Sequence, residues 1–440
     1  MELNEFLREK RKLGLSLEVN RKKILFLDTW PKSIPNIIQV KKELDRLDAQ
    51  VLMVHWWSTY NSNNIVEEEE IEGITVRDIK YYNTNLIYKI IQIEKPDAVF
   101  SVNSVRIYDR AIVLACRKLK IQCSFLMHGT RAFGGKDPMA YAKLLNDVLA
   151  NSSERVKRIS RFLKYVIPNY LYSLYKSDNG KLFSFRWLKI LYSYYKNPGI
   201  SAYYPIYPEE LTYDKALVYS NSEIEYHKKL GYKYENIHVV GCPKYDDFKK
   251  RVLEKNFSSE QLPEKVKKHF KKNLKYVLFL DDSFPESGNI AGIDKSYRNE
   301  ILNSIASRFE KDNYKLVVKL HPSGNLNDFD HTHSNIIIEK NNLEELIYYS
   351  SLCIVHISTT IDQCLICNKP VYHINWGKFS KLPKNFPESG MSTFWNNLDE
   401  KINSNPPSLK KHNLLMNNFI SVKEPIASLN AAKMIIENKN

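Results

Sequence analysis

Short apolar runs alternate with amphipathic segments along the first part of the chain. The apolar runs, which are typical of buried strands, are residues 23–28, 51–55, 96–101 and 122–128. Apolar positions recur at helical spacing in residues 37–47, 84–93 and 108–119. Strands that alternate with helices at this spacing indicate a parallel sheet with right-handed crossovers.

The alternation resumes after residues 151–201, which are rich in aromatic and basic side chains. Further strands are predicted at residues 215–220, 238–241, 276–281, 315–320, 336–338, 352–357 and 370–374, and a last helix at 427–437. This order predicts an α/β protein with two Rossmann-like domains facing each other across a cleft, and a basic aromatic helical insertion. We place the first domain at 1–214, including the insertion at 151–201, the second at 215–423, and a closing helix at 424–440.

Composition limits the classes of binding partner and the cellular compartment that we expect. Lys and Arg outnumber Asp and Glu by 65 to 50, and the formal charge of +15 favours nucleotides, acidic polysaccharide or an anionic membrane surface. Nucleic acid also fits the charge, but no known binding module is visible, so we expect no nucleic-acid partner. Residues 1–22 lack the apolar core of a signal peptide, and no run reaches the roughly 18 apolar residues of a membrane span. We therefore expect a cytoplasmic protein.

Lys319-Leu320-His321-Pro322 follows a strongly apolar predicted strand. Ligands of open α/β sheets bind at the carboxyl ends of the strands. Proline fixes the turn, so we expect Lys319 or His321 to contact a donor phosphate and to stabilise charge on the leaving group. The alternative is a turn residue at the edge of a sheet, and the position at a strand end favours binding.

Ser358-Thr359-Thr360 stands between another predicted strand and a helix. Each hydroxyl alone is explained as an N-cap that satisfies helix amides. Taken with His321 on a neighbouring strand, these residues and the free amides of the helix predict a phosphate site. Asp362, in the first turn of the helix, is a further candidate that could reach a ribose hydroxyl.

His128 ends a buried strand of the first domain and is followed by Gly129, which allows a close backbone approach to a ligand. An imidazole there can act as general base on an acceptor hydroxyl, since its pKa is near neutrality. A structural histidine at a strand end explains the position equally well.

Other clusters have simpler explanations. Asp281-Asp282-Ser283 follows the first strand of the second domain, where it could line the cleft, and a loop cap is the favoured interpretation. Asp328-Phe329-Asp330 has the Asp-x-Asp form that can hold Mg²⁺ or Mn²⁺, but it lies in a polar loop where two aspartates arise readily by chance. Cys364 and Cys367 form one C-x-x-C with no second pair, which favours core packing over zinc.

Residues 155–176 combine apolar positions at helical spacing with a basic face, and Pro168 should kink or break the helix. This composition is typical of an interfacial helix on anionic lipid and equally of an amphipathic helix packed on the sheet. Residues 154–199 are therefore the candidate for peripheral contact with the inner face of the plasma membrane.

Several short stretches together carry a resemblance to a known family. They are Leu126-Met-His-Gly-Thr-Arg131, Val218-Tyr-Ser220, Val239-Val-Gly-Cys-Pro-Lys-Tyr-Asp246, Lys319-Leu-His-Pro322, and Ser358-Thr-Thr360 with Lys369-Pro370. Across about residues 23–436 the chain resembles GT-B glycosyltransferases of bacterial capsule and lipopolysaccharide synthesis, above all those that use CMP-activated keto-sugars. It is also similar to the CDP-glycerol glycerophosphotransferases of teichoic acid synthesis.

The resemblance implies His128 near the acceptor as a base, Lys319, His321 and Pro322 at the donor phosphate, Ser358, Thr359 and Thr360 on phosphate, and the loop 241–246 with Gly241 at the cleft. It implies a nucleotide-sugar donor, a glycan or lipid-linked glycan acceptor, and no metal or other cofactor.

The chain departs from the two patterns. The glycerophosphotransferase motif continues with Pro-Lys, whereas Arg131-Ala132 stands here, and the acidic pair of many sialyltransferases has no clean match in the first domain. The leading hypothesis is a glycosyltransferase. The alternatives are a CDP-glycerol-type glycerophosphotransferase and a non-catalytic membrane- or polysaccharide-binding protein on the same scaffold.

Overall fold

The computed structural model describes residues 21–60, 66–104, 106–128, 159–177, 211–271, 275–282, 284–286, 290–329, 333–382, 384–421 and 426–437. These residues form two sheets, each covered by helices on both faces.

The first sheet consists mainly of strands that are apolar on both faces, as suits parallel strands under helices. In chain order its strands are β1 (Lys22–Asp28), β2 (Ala49–His55), β3 (Glu68–Ile71), β4 (Ile74–Asp78), β5 (Ala98–Ser101), β6 (Gln122–Leu126), β7 (Lys215–Val218) and β8 (Ile237–Val239). Their spatial order is β3-β4-β2-β1-β5-β6-β7-β8, and the β3–β4 pair alone among these is antiparallel.

Strands β7 and β8 correct the predicted domain boundary. The second domain is predicted to start at residue 215, but β7 pairs with β6 and β8 pairs with β7. An apolar run shows that a strand is buried and does not show which sheet it joins, because the pairing partners are distant in sequence. The boundary between the sheets therefore falls between Val239 and Lys275.

The β3–β4 hairpin is missing from the sequence prediction. Its first strand is a run of glutamates, which hides the β pattern and also blunts this edge of the sheet against pairing with other chains. The turn residues Glu72 and Gly73 both have positive φ, +53° and +70°, as a two-residue type I′ turn requires.

The second sheet consists of β9 (Lys275–Leu280), β10 (Tyr314–Lys319), β11 (Ile336–Glu339), β12 (Leu352–Ile354), β13 (Val371–Ile374) and β14 (Thr393–Trp395). Its strands are parallel in the order β11-β10-β9-β12-β13-β14. This is the doubly wound arrangement, in which the chain builds the sheet first to one side of β9 and then, from β12, to the other side. The first sheet reverses in the same way between β1 and β5. Ligands bind beyond the carboxyl ends of strands at such switch points, so the topology marks one position in each domain.

The helices follow the predicted pattern. In chain order the described ones are α1 (Ile38–Arg46), α2 (Ile87–Glu94), α3 (Ile107–Leu119), α4 (Ile167–Lys176), α5 (Ile224–Lys229), α6 (Asp246–Leu253), α7 (Glu264–Phe270), α8 (Lys295–Glu310), α9 (Leu343–Tyr349), α10 (Ile361–Ile366), α11 (Asn385–Glu388), α12 (Leu409–Leu415) and α13 (Ala427–Ile436). Helix α13 returns to the first domain, where Ala431, Ala432 and Ile435 join its core. Lys215 fixes this return by donating to the carbonyl oxygens of Met434 and Glu437 at 2.7 and 2.9 Å.

Part of the predicted insertion, residues 159–177, is described, and residues 151–158 and 178–201 lie outside the described ranges. Helix α4 is preceded by a π-helical turn, Phe162–Val166, and this wider turn lets the chain pass Pro168 without the expected break. Phe162 and Tyr170 pack on α3, which supports the core-packing interpretation for this face. Leu163 and Tyr175 remain exposed, and membrane contact stays a prediction.

No helix within the described ranges combines the length and the apolarity needed to cross a bilayer. The predicted fold class, an α/β protein with two Rossmann-like domains, is confirmed.

Candidate active site

The first switch point holds a cavity of about 310 Å³. Asp28 ends β1, and its Oδ1 accepts hydrogen bonds from the Thr29 amide and from Asn103 Nδ2, both at 2.6 Å. Arg106, which precedes α3, donates to the Thr29 hydroxyl at 2.5 Å. The ends of β1 and β5 thus hold a connected set of polar groups. The remaining lining residues are Trp30, Ser33, Asn36, Trp57, Val102 and His128.

His128 borders this cavity with a defined tautomer. Its Nδ1 lies 2.9 Å from the Val102 carbonyl oxygen, which can only accept, so Nδ1 carries the proton and the lone pair is on Nε2. Desolvation, followed by the charge of Lys244, lowers the pKa of His128 to about 4, although the residue is still exposed at the cavity edge. The ring is therefore neutral at pH 7, with Nε2 as a proton acceptor.

The loop 241–246 connects the first domain to the second. Gly241 has a φ of +89°, which glycine adopts without strain and which turns the chain out of the sheet. In the following 3-10 turn, Pro243–Tyr245, the Tyr245 hydroxyl donates to the Thr359 carbonyl oxygen at 3.3 Å. Gly241 therefore shapes the loop, Tyr245 connects it to the second domain, and its role at the cleft stays a prediction.

Lys244, in the same turn, interacts with both domains. Its charge lowers the pKa of His128 in the first domain. Burial lowers the pKa of Lys244 itself, and the charge of Asp362 from the second domain opposes that shift. Lys244 thus interacts electrostatically with a residue of each domain.

Asp281 and Asp282 occupy the second switch point, at the end of β9. They are 5% and 7% exposed, so they form a buried carboxyl pair. Asp281 faces Arg298 Nη1 at 3.5 Å, and Asp282 Oδ2 accepts from the Ile357 amide at 3.4 Å. Burial raises the pKa of Asp281 to about 7, and burial together with the charge of Asp281 raises that of Asp282 to about 8. The pair therefore retains a proton near neutral pH.

The Lys319–His321 strand end is not adjacent to the Ser358 strand end. The two are predicted to lie on neighbouring strands, but β9 separates β10 from β12. This prediction is wrong because the chain winds outward through β10 and β11 before it returns beside β9. An apolar pattern gives the strands and not their spatial order.

His321 nevertheless has a geometry that suits an anion. The Gly324 amide donates to its carbonyl oxygen at 2.9 Å, which closes a turn with Pro322 as second residue, as predicted. Its Nδ1 accepts from the Ser323 amide at 3.2 Å, so the neutral ring carries its proton on Nε2 as a donor. Burial lowers the pKa of His321. Lys319 Nζ donates to the Leu320 carbonyl oxygen at 2.8 Å, and burial also lowers its pKa.

The start of α10 differs from the prediction. The amides of Ile361 and Asp362 already donate to the carbonyl oxygens of Ser358 and Thr359, at 3.3 and 3.2 Å. Ser358 Oγ donates to Thr360 Oγ1 at 2.9 Å. Two of the amides that the prediction leaves free are therefore engaged, and a helix of only six residues has a small dipole. The half-buried hydroxyls are the groups that a phosphate can contact. Asp362 is fully buried, which leaves it no surface for a ribose.

The clusters set aside in the sequence also have structural explanations. Lys295 Nζ donates to Asp328 Oδ1 at 2.7 Å, so the first carboxylate of the Asp-x-Asp is in an ion pair, while Asp330 lies outside the described residues. Cys364 is completely buried in a hydrophobic cluster. In the part of the chain that the structure describes, no three His, Cys, Asp or Glu residues converge as metal ligands.

Sequence reasoning missed Asp28, Asn103 and Arg106. The available signal was the one used for His321, a polar residue directly after an apolar strand, which Asp28 satisfies. Lys244 lay inside a predicted loop but was not singled out, because contact between domains is not visible in linear spacing.

Comparison with known proteins supports the fold. No protein-family model and no curated protein matches the chain. It is similar to a UDP co-structure of S. aureus MnaA, at 12% identity over 94% of this chain and 96% of that one, with a TM-score of 0.51. It is also similar to a glycotransferase of kitacinnamycin, at 9% identity, coverages of 94% and 98% and a TM-score of 0.49. A putative UDP-N-acetylglucosamine 2-epimerase from Listeria monocytogenes matches at 12% identity, coverages of 93% and 94% and a TM-score of 0.47. The first of these, with the two doubly wound sheets, confirms the GT-B-like fold.

Proposed function

We propose that this protein is a glycosyltransferase that moves a sugar from a nucleotide-activated donor to a glycan or lipid-linked glycan acceptor. The observation that supports it best is the pair of polar switch points, one in each sheet, joined by the loop that carries Lys244. The acceptor binds in the first domain near His128. The donor phosphates bind in the second, near His321, Lys319 and the hydroxyls of residues 358–360.

In this mechanism His128 Nε2 takes the proton from the acceptor hydroxyl as the hydroxyl oxygen forms its bond to the anomeric carbon. The bond from that carbon to the phosphate oxygen breaks, and the nucleotide leaves with the electron pair. Lys244 and the Nε2 proton of His321 stabilise the departing phosphate.

Donor binding also tunes the base. The charge of Lys244 contributes to the low pKa of His128, about 4 in the free protein. An anionic phosphate beside Lys244 offsets that charge, so His128 becomes more basic when the donor is bound.

The resemblance of residues 126–131 and 319–322 to keto-sugar transferases supports a CMP-linked sugar as the first donor to test. The exposed Leu163 and Tyr175, together with Lys164 and Lys176, are compatible with peripheral contact to a membrane that presents a lipid-linked acceptor.

The first experiment is a thermal-shift panel of CMP, CDP, UMP, UDP, GDP and ADP. A ligand at a hundredfold excess over its Kd stabilises by about 2.7 kcal/mol, so even weak product binding registers. We expect one nucleotide to stabilise the wild type and His333→Ala, and to lose its effect in His321→Ala. His333 is a matched control because it precedes β11 and so lies at the amino ends of the strands, whereas His321 lies at their carboxyl ends. No response to any nucleotide would contradict the proposal.

Mass spectrometry of the products then separates the reaction classes. With the responding nucleotide sugar and a glycan acceptor, a glycosidic product supports the proposal. A phosphodiester product would assign a glycerophosphotransferase-type reaction instead, and an isomerised donor with no transfer would assign an epimerase.

A further inference from the structure

Trp30, Trp57 and Tyr60 form an aromatic ladder beside the first-domain cavity. Trp30 follows β1 and Trp57 follows β2, and because these strands pair, the two indoles lie with ring centroids 5.4 Å apart. Tyr60 stacks on Trp57 with centroids 5.7 Å apart and an interplanar angle of 8°. Trp30 and Tyr60 are 40% and 42% exposed, so the ladder presents apolar surface to solvent.

Neighbouring residues hold the ladder in place. The guanidinium of Arg161 lies 3.8 Å from the Tyr60 ring centroid, and its Nε donates to the Thr59 carbonyl oxygen at 3.0 Å. The preceding Trp56 is buried against Tyr108 with ring centroids 4.2 Å apart, which anchors the segment to the core. Aromatic surface that is already fixed loses little entropy when a ligand binds.

The ladder and the polar groups of the cavity belong to one surface. Trp30 and Trp57 line the same cavity as Asp28, Asn103 and Arg106. Asp28 uses Oδ1 for its bonds to Thr29 and Asn103, and within the described residues its Oδ2 has no hydrogen-bond partner. The cavity thus offers an apolar platform next to a carboxylate, an amide and a guanidinium.

A pyranose ring has the complementary chemistry. One face of the ring presents C–H groups that pack on an indole, and its rim carries hydroxyls that both donate and accept. A carboxylate accepts from vicinal hydroxyls, and the amide and guanidinium donate to them. Sites that combine aromatic walls with few convergent polar groups are typical of small-ligand binding.

We infer that this surface binds a pyranose unit of a glycan, with the sugar stacked on Trp30 and Trp57 and its hydroxyls on Asp28, Asn103 and Arg106. The sugar is the acceptor of the proposed transferase, and this role, though not the binding itself, rests on the proposed function. Since His128 lines the same cavity, a bound ring can present a hydroxyl to Nε2.

Glycan binding can be measured without any donor. The wild-type protein is applied to a broad glycan array, and the retained glycan is then titrated by saturation-transfer NMR against Trp30→Ala, Trp57→Ala and Trp57→Phe. We expect a loss of affinity of about tenfold or more in both alanine variants and partial recovery with phenylalanine. Tyr234→Ala, which removes an aromatic side chain that is 66% exposed elsewhere, is the matched control and should bind as the wild type does.

Two results would overturn the inference. One is that the wild type retains no glycan, and the other is that both alanine variants bind as tightly as the wild type. Trp30→Ala keeps the test valid if Trp57→Ala melts at a lower temperature, because Trp30 is largely outside the core. Nucleotide-induced thermal shifts of the same variants distinguish the sugar-binding site from the transferase activity. Glycan binding without a nucleotide response would contradict the transferase and leave the sugar site standing.

Discussion

Replacing Asp282 with asparagine should stabilise the protein at neutral pH. The carboxyl is 7% exposed, and burial, reinforced by the charge of Asp281, raises its pKa from the ordinary 3.8 to about 8. Above pH 3.8 ionisation of this group stabilises the unfolded chain. It does not stabilise the folded protein until the pH reaches about 8. Asparagine keeps an oxygen that can accept from the Ile357 amide and removes the titration.

The sign and size follow from linkage. A group with a raised pKa contributes its stability fully below the unfolded value and loses it as the pH rises toward the folded value. Each pH unit in this window costs about 1.4 kcal/mol, so the cost by pH 7 is about 4 kcal/mol as an upper bound. Water penetration and relaxation reduce it, and we expect Asp282→Asn to gain about 1–3 kcal/mol at pH 7. For a domain of this size that is an increase in Tm of about 3–10 °C.

Thermal melts at about pH 4, pH 5.5 and pH 7 measure this directly, with Asp399→Asn as an exposed control. The gain should be near zero at the lowest pH and should grow with pH, while the control shows no such trend. A loss of stability at pH 7 would refute the reasoning, because it would show that the folded protein holds Asp282 as an ionised, paired carboxylate. A gain that does not vary with pH would refute it as well, since titration could not be its cause.

Further expectations concern the other titrating groups. His128→Gln should lower kcat by about 100- to 10,000-fold in the transfer reaction while the KM for the donor changes little, as steady-state kinetics with the responding donor will show. Lys244→Met should raise the pKa of His128, measured by NMR titration of the imidazole, because it removes a charge that now lowers it. His373 is fully buried and burial lowers its pKa to about 4, so stability should fall as the pH drops from 6.5 toward 4, by up to about 1.4 kcal/mol per pH unit. His373→Leu should flatten this fall in urea melts.

The core strands could be predicted because their signal is local. Residues 23–28 and 276–281 are apolar on both faces, and this identifies a parallel strand wherever it lies in the chain. The β3–β4 hairpin could not be predicted in this way. Its edge strand β3 is a run of glutamates, which oppose pairing with other chains and leave no apolar pattern in the sequence. The assignment of β7 to the first sheet depends on pairing with β6, from which it is separated by a long connection, and no local pattern encodes that choice.

The candidate site divides along the same line. The strand-end positions of His128 and His321 could be predicted, because each follows its strand directly in sequence. That Asp281 and Asp282 lie between His321 and Ser358 depends on strand order, and the engagement of the first α10 amides depends on local backbone geometry. The influence of the Lys244 charge on residues of both domains depends on how the two domains meet. None of these features can be predicted from the sequence of one helix or strand alone.

The protonation state of Asp281 and Asp282 should affect the affinity for an anionic donor. Fully ionised, Asp281 and Asp282 would repel a phosphate bound near His321. Their pKa values of about 7 and about 8 remove most of that repulsion at and below neutrality. Nucleotide affinity should therefore fall as the pH rises from about 7 to above 8, where a phosphate with a second pKa of about 6 is already largely ionised. Calorimetric titration of the responding nucleotide should show this fall in the wild type and a weaker one in Asp282→Asn. An affinity that is constant across the range would place the phosphate away from the second switch point.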